Sequence, residues 1–394
     1  MPDGSPVLLD NGQHILIGAY TETLNLMRLV DSDPDRLLLR APLCLQYPDG
    51  SGLTLPDWPS PFDALAGILK NSSWNWADKW SLLRAATKWQ MQGFQCAPHL
   101  TVQNLCQGLT QQVMQTLIEP LCVSALNTPA DQASAQVFLR VLKDSLFGAR
   151  GGSNLLLPLA DLTRLFPQAA ANWLETNGSQ VRTAARVDAL EQTASGAWRV
   201  HIGASNEEFG AVLWAGSTSA SAKLLEHSSA QNASQLANAM ARWAMQTRAL
   251  RFEEIATVYA HADNVRLAQP MLALKSDSTN PAQFVFDKGQ LGGPAGLLAF
   301  VVSANSDKRE TVQARVLAQG KQQLSCFLGG HTLTAVQTII EKRATFACTP
   351  GLQRPPARIA PGLLACGDYI EGPYPATLEG AVRNGIYAGC SVFT

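Results

Sequence analysis

Residues 362–385 read Gly362-Leu363-Leu364-Ala365-Cys366-Gly367-Asp368-Tyr369-Ile370-Glu371-Gly372-Pro373-Tyr374-Pro375-Ala376-Thr377-Leu378-Glu379-Gly380-Ala381-Val382-Arg383-Asn384-Gly385. Apolar residues over 363–366 predict a strand that stops at Gly367-Asp368, and Pro375 marks the point after which a helix over 376–393 can begin. Such a strand, turn and helix bring three binding groups to one end of a sheet. The glycine lets backbone approach a bound molecule closely, and the aspartate can accept hydrogen bonds from a sugar-like polyol. The helix start offers free N–H groups and a positive dipole end to an electron-rich carbonyl or a developing anion. Gly380, Ala381 and Gly385 would let that helix pack closely. Taken by itself, Gly367-Asp368 is more simply a strand-ending turn followed by a helix cap.

A chain of 394 residues with 46% hydrophobic content has enough apolar material for a core and room for two or three domains. Its 30 basic and 31 acidic residues nearly cancel, so no field draws it toward phosphate backbones and nucleic acid is not an expected partner. The eight cysteines never form a CxxC pair, and no charged-then-apolar leader opens the sequence, which together predict reduced thiols and a cytoplasmic setting. The six histidines show neither HxxxH nor HExxH spacing, so no metal site is expected. No apolar run approaches the roughly 18 residues required to cross a bilayer.

Along the chain, residues 7–9 predict a short strand running into the polar turn Asp10-Asn11-Gly12-Gln13-His14, and Leu24, Met27 and Val30 give 20–30 a helical period. Residues 36–61 read as short strands, with a hairpin turn at Pro48-Asp49-Gly50-Ser51-Gly52. Helices are predicted over 63–69, 75–91 with Asn75 as cap, 101–123 and 130–147, ending at the glycines of 148–152. A further helix is expected over 155–166, with Pro158 in its first turn. Runs 179–191 and 197–202 read as strands joined by Thr193-Ala194-Ser195-Gly196, followed by a strand at 211–215 and a helix at 220–226. Strands at 255–260, 283–286 and 297–303 and helices at 308–319 and 333–342 complete an alternating, mixed α/β (α+β) pattern.

The 362–385 segment resembles the C-terminal flavin motif of the FAD-dependent amine oxidase and phytoene desaturase superfamily. Within it, Tyr374-Pro375-Ala376-Thr377-Leu378-Glu379-Gly380-Ala381 and the opening Asp10-Asn11-Gly12-Gln13-His14 with Gly18-Ala19-Tyr20 are similar to the hydroxysqualene dehydroxylases of hopanoid biosynthesis. Thr257-Val258-Tyr259, Pro270-Met271-Leu272, Phe284-Val285-Phe286-Asp287-Lys288 with Gly292-Gly293, and Glu341-Lys342-Arg343-Ala344-Thr345-Phe346 extend the resemblance through the middle. It implies a Rossmann-like FAD-binding domain over 1–25, 148–215 and 356–394, and a substrate domain of mixed sheet and helices over 26–147 and 216–355. By position, Gly367 and Asp368 would bind the ribityl chain or pyrophosphate. Pro375, Ala376, Thr377 and Leu378 would face the flavin pyrimidine, and Asn11, Gly12, Gln13 and His14 would lie near the isoalloxazine ring. Val187 would touch the adenine. The family opens with a strand, GxGxxG, a helix, a second strand with an acidic residue, and a GGR-like turn. This sequence starts at Met1-Pro2-Asp3-Gly4 and has no GxGxxG, so the expectation is a start placed too late or a remnant with weakened FAD affinity.

The resemblance also implies a reaction: hydroxysqualene is reduced to squalene, an allylic hydroxyl leaving as water while reduced flavin donates hydride in a water-poor tunnel. A protein acid must assist that departure, and His14 and Tyr374 are the nominees. His14 reads equally as a packed core histidine. Another FAD-dependent polyene desaturase or amine oxidase, and a cofactor-free isoprenoid-binding remnant, are the alternatives. Trp74, Trp76, Trp80 and Trp89 read first as core or tunnel lining and second as a peripheral membrane contact through which an isoprenoid would enter.

Overall fold

The computed structural model describes residues 6–58 and 62–392, so Pro59, Pro61 and Phe393, which bounded predicted segments, lie outside the described residues. The chain divides into two compact units, Met1–Ala170 with Phe252–Pro350, and Ala171–Arg251 with Gly351–Thr394.

The first unit is built on a five-stranded antiparallel sheet in the order Met271–Ala273, Phe284–Asp287, Leu297–Asn305, Phe252–His261, Thr334–Phe346. Successive side chains of a strand point to opposite faces. Ala256, Val258 and Ala260 therefore join Leu272, Val285, Leu298, Phe300 and Val302 in a core closed by Val312 and Val316 of the Arg309–Gln323 helix. Thr257 and Tyr259 fall on the other face, also buried. The predicted helix over 333–342 is instead most of the 13-residue strand Thr334–Phe346. Val336, Ile339 and Ile340 mimic a helical period, but a run of Thr, Val and Ile favours extended backbone and finds a partner along Phe252–His261.

The predicted helix over 155–166 is likewise corrected. Leu155–Pro158 is the middle strand of a three-stranded sheet between Leu16–Ile17 and Leu38–Ala41, buried at all four positions. A continuously apolar run of four fits a strand covered on both faces, and only Leu162–Leu165 is helical. No strand forms over 7–9, and Leu8 is largely exposed. The hairpin expectation holds, Cys44–Gln46 pairing with Gly52–Thr54. Helices Phe62–Lys70, Trp76–Met91 and Ala135–Leu146 follow the expected pattern, Asn75 and Asp78 forming a reciprocal capping box. The 101–123 helix is broken into Val102–Leu105 and a continuous 111–126 stretch whose centre, Met114–Ile118, is π-helical.

In the second unit, Leu363–Ala365 pairs parallel with Val212–Trp214 and antiparallel with Arg358–Ala360. A three-stranded antiparallel sheet joins Ala189–Gln192, Trp198–Ile202 and Ser205–Phe209, the middle strand anchored by fully buried Trp198, whose indole donates to the Pro361 carbonyl at 3.1 Å. The strand expected over 179–191 forms only from Ala189. Thr218–Ser229 packs beside Ser234–Ala249, a helix that the sequence pattern had not suggested. The final helix is Leu378–Ser391, its N-cap Thr377 accepting from the Gly380 amide.

Candidate functional site

In the first unit the opening corner folds onto the inner face of the five-stranded sheet. Tyr259 donates its phenol to the Asp10 carbonyl at 3.1 Å, while the Asp10 carboxylate accepts from the Leu162 amide at 3.0 Å. Lys288 donates to the Gln13 side-chain oxygen at 3.0 Å. Lys288 is aimed by its neighbour Asp287, which is buried and accepts from the amides of Leu267 and Gly289, both at 3.0 Å, and from Gln290 at 2.8 Å. Gly12 lies beside His14 Nε2 and Thr257 Oγ1: a Cβ placed there would sit 3.6 and 3.9 Å from them.

Burial sets the charge states in this corner. It lowers the His14 pKa below the ordinary 6.5, with the Asp10 carboxylate pulling the other way. Lys288 is lowered for the same reason and is likewise opposed by Asp10. The Tyr259 phenol is raised, first by burial and then by Asp10. Burial thus disfavours the charged forms of both the imidazole and the amine, an effect that the nearby Asp10 carboxylate only partly offsets. Among the described residues, the Thr257 hydroxyl is the buried side-chain polar atom with no hydrogen-bond partner. A buried, unpaired hydroxyl beside such a cluster costs stability unless something else completes it.

In the second unit the predicted loop is where the sequence put it. Leu363–Ala365 ends at Gly367, whose φ of 153° brings its α-carbon against the Tyr369 ring; an added Cβ would stand 2.9 Å from Tyr369 Cε1. The Gly367 amide donates to Asn384 at 3.0 Å, tying strand end to final helix. The Asp368 carboxyl is half-buried, and its pKa is pushed up by burial against the lowering influence of the Tyr369 amide, its own amide and Arg354. Arg354 donates to the carbonyls of Asp368 and Tyr374 at 3.2 and 3.0 Å. The Tyr374 ring lies under the Arg383 guanidinium, 5.6 Å from the ring centre, and Arg383 also binds buried Glu379 at 2.8 Å. Pro375 is buried, Ala376 and Thr377 half-buried, and Leu378 exposed at the helix start. Val187 is half-buried but lies two residues before Ala189–Gln192, in irregular backbone, so its expected position within a strand is corrected.

Each corner, taken by itself, offers groups that suit a flavin cofactor. Near Gly12, the orphaned Thr257 hydroxyl, His14 and Lys288 supply hydrogen-bonding groups in a buried setting, and the Asp368 carboxyl with the start of Leu378–Ser391 supplies a polyol acceptor and free amides. Sequence spacing had not singled out Asp10, Thr257, Tyr259 or Lys288. All four sat inside stretches noted for resemblance, but only strand register places Thr257 and Tyr259 on the face that meets Asp10 and Gly12.

The family model described as flavin containing amine oxidoreductase matches residues 2–392. No curated protein matches the chain. Among solved structures, an oxidoreductase from Methanosarcina mazei is similar with TM-score 0.69 and 13% identity, covering 98% of this chain and 90% of that one. Cyclohexylamine oxidase from Brevibacterium oxydans IH-35A gives 0.61 and 14%, covering 99% and 89%. A CLA-producing fatty acid isomerase from P. acnes gives 0.62 and 10%, covering 98% and 88%. At these identities the solved structures establish the fold, and the match along nearly the whole sequence establishes the rest: the chain belongs to the flavin-containing amine oxidoreductases, FAD-dependent enzymes of oxidation and reduction.

Proposed function

We propose that this FAD-dependent oxidoreductase reduces hydroxysqualene to squalene. The observation that carries the proposal is the pairing of two sequence stretches with two built corners. Asp10 to His14 folds against a half-buried Lys288, and Tyr374 to Ala381 forms the loop and N-terminus of a helix tied to Gly367-Asp368. Both stretches resemble hydroxysqualene dehydroxylases.

Bound in its reduced form, FAD supplies the hydride. The chain's own part is to hold the ring and move one proton. Gln13 fixes the Lys288 ammonium, and the lowered pKa of that amine makes it a readier acid than a solvated lysine. We assign proton delivery to the departing hydroxyl to Lys288 and a hydrogen-bonding role toward that hydroxyl to His14, whose lowered pKa keeps its imidazole neutral, with Asp10 moderating both and the Thr257 hydroxyl bonding the flavin. Tyr374, the other nominee, is given a positioning role, since Arg354 and Arg383 hold its carbonyl and ring. Asp368 and the amides preceding Leu378–Ser391 are assigned to the ribityl side and the pyrimidine, and Val187 to the adenine.

An amine substrate is favoured by one observation. The first unit contains an open cleft of about 820 Å³ whose lining includes Gln103, Gln112, Gln115, Glu119 and Asp131 beside Trp74 and Leu274. Carboxylates and amides suit a cation better than a hydrocarbon. A spectroscopic experiment separates the two. With FAD-loaded protein under anaerobic conditions, hydroxysqualene should restore the oxidised flavin spectrum of reduced enzyme and yield squalene. Bleaching of oxidised flavin by aliphatic amines, with no squalene formed, would establish the amine reading instead.

A further inference from the structure

The four tryptophans of the helical region divide in a way that points to a second surface. Trp74 and Trp89 are 5% and 3% exposed and belong to the core, whereas Trp76 and Trp80 are 77% and 70% exposed. Four residues apart on Trp76–Met91, the exposed pair shares one helical face. The preceding helix, Phe62–Lys70, buries Asp63, Ala66, Gly67 and Ile68 and turns outward Phe62, Leu65 and Leu69, spaced three and four residues apart. Lys79 joins the two helices: its ammonium donates to the Leu69 carbonyl at 2.8 Å and lies 5.5 Å from the Trp76 ring centre. Lys70 similarly stands 5.4 Å from the ring centre of half-exposed Trp58. Lys79 thus ties the end of the first helix to Trp76, with Trp80 one turn further on, and Lys70 brings Trp58 to the same end, so these exposed apolar side chains cluster around shared lysines rather than lying scattered singly.

The charge here is one-sided. Lys70, Lys79, Arg84 and Lys88 lie on these two helices, all but Lys79 exposed. The acidic residues of the same helices are turned inward: Asp63 is buried and accepts from the Ala64 amide, and Asp78 is buried in the capping box and against Thr110. Asp57, just upstream, faces Arg150 at 3.6 Å. Tryptophans and leucines projecting among lysines, with carboxylates withdrawn, are the composition of a helix that lies in a lipid headgroup layer. The rings then sit at the acyl boundary and the cations among phosphates.

We propose that the outward faces of Phe62–Lys70 and Trp76–Met91 dock on an anionic lipid bilayer without crossing it; among the described residues no helix is long and apolar enough to span one. This inference stands apart from the substrate of the flavin site.

The test uses the full chain with FAD and vesicles of phosphatidylcholine alone or mixed with an equal share of phosphatidylglycerol. Binding is expected to the mixed vesicles and to fall with added salt as the cations are screened. Trp76→Ser with Trp80→Ser, at exposed sites that leave the melting temperature unchanged, should weaken it by about tenfold or more. Arg84→Glu with Lys88→Glu should remove the preference for phosphatidylglycerol. Brominated acyl chains should quench the fluorescence of the wild type more than that of the double tryptophan variant. Equal vesicle binding by wild type and tryptophan variant, or no binding by either, overturns the proposal. So does self-association in sedimentation velocity that the tryptophan substitutions abolish while vesicles bind neither protein, because the face would then belong to a second copy of the chain.

Discussion

His14 sits where a titratable group reports on its surroundings. Burial holds its folded-state pKa below the ordinary 6.5, with Asp10 offsetting part of the effect. Above that value the imidazole is neutral whether the chain is folded or not and adds no pH dependence. As pH falls through 6.5 the unfolded chain takes up a proton that the folded chain resists, so stability is lost progressively until the folded-state pKa is passed. His14→Gln removes the group and should flatten this acid limb in denaturant titrations across pH, relative to wild type; an unchanged slope would mean that the imidazole is solvated. The corner around His14 was partly legible in sequence, because Asn11 to His14 are contiguous and their resemblance needs no folding to see. Lys288 and Thr257 were not. They lie more than two hundred residues downstream, and nothing short of sheet register says that Thr257 rather than Val258 faces Gly12. The threonine's orphaned hydroxyl is visible only once all of its neighbours are in place.

Local signals worked where an element's own residues decide its form. Asn75 and Asp78 announce the start of Trp76–Met91, Gly50 and Gly52 take the positive φ of the predicted hairpin turn, and Thr377 caps the final helix. They failed where partners decide. Leu155–Pro158 is a strand because it is flanked on both sides, and Thr334–Phe346 because Phe252–His261 offers it a ladder. Ser234–Ala249 was missed although Met240, Trp243, Ala244 and Thr247 form its buried stripe, since Ala, Asn and Gln around them dilute the apolar period. One motif glycine has an explanation at this scale. Gly18 follows Leu16–Ile17, and its amide bonds the Asn154 carbonyl at 2.9 Å; a Cβ there would lie 1.8 Å from the Gly151 carbonyl oxygen. Backbone blocks the space, so Gly18→Ala must push the three-stranded sheet apart. A loss of more than about 2 kcal/mol is expected in thermal or urea unfolding, and a variant as stable as wild type would show that the two segments separate without cost.

For the molecule as a whole, family and cofactor follow from the match along the chain, while substrate, proton donor and membrane face are proposals resting on separate observations and can fail separately. The flavin assignment underlies the first two. A ligand bound only by the folded chain stabilises it by about 2.7 kcal/mol at a hundred times its dissociation constant, and the buried Thr257 hydroxyl should share in that gain by losing its unpaired state. Thr257→Val, which removes the orphaned group, should leave the FAD-free protein as stable as wild type or more so while weakening the cofactor. The most direct measurement is therefore a calorimetric FAD titration of wild type and Thr257→Val, each followed by a visible spectrum. Saturable binding at one FAD per chain with a flavin absorbance band, weaker in the variant, is the expected result. A wild-type chain that takes up neither heat nor colour from FAD would contradict it.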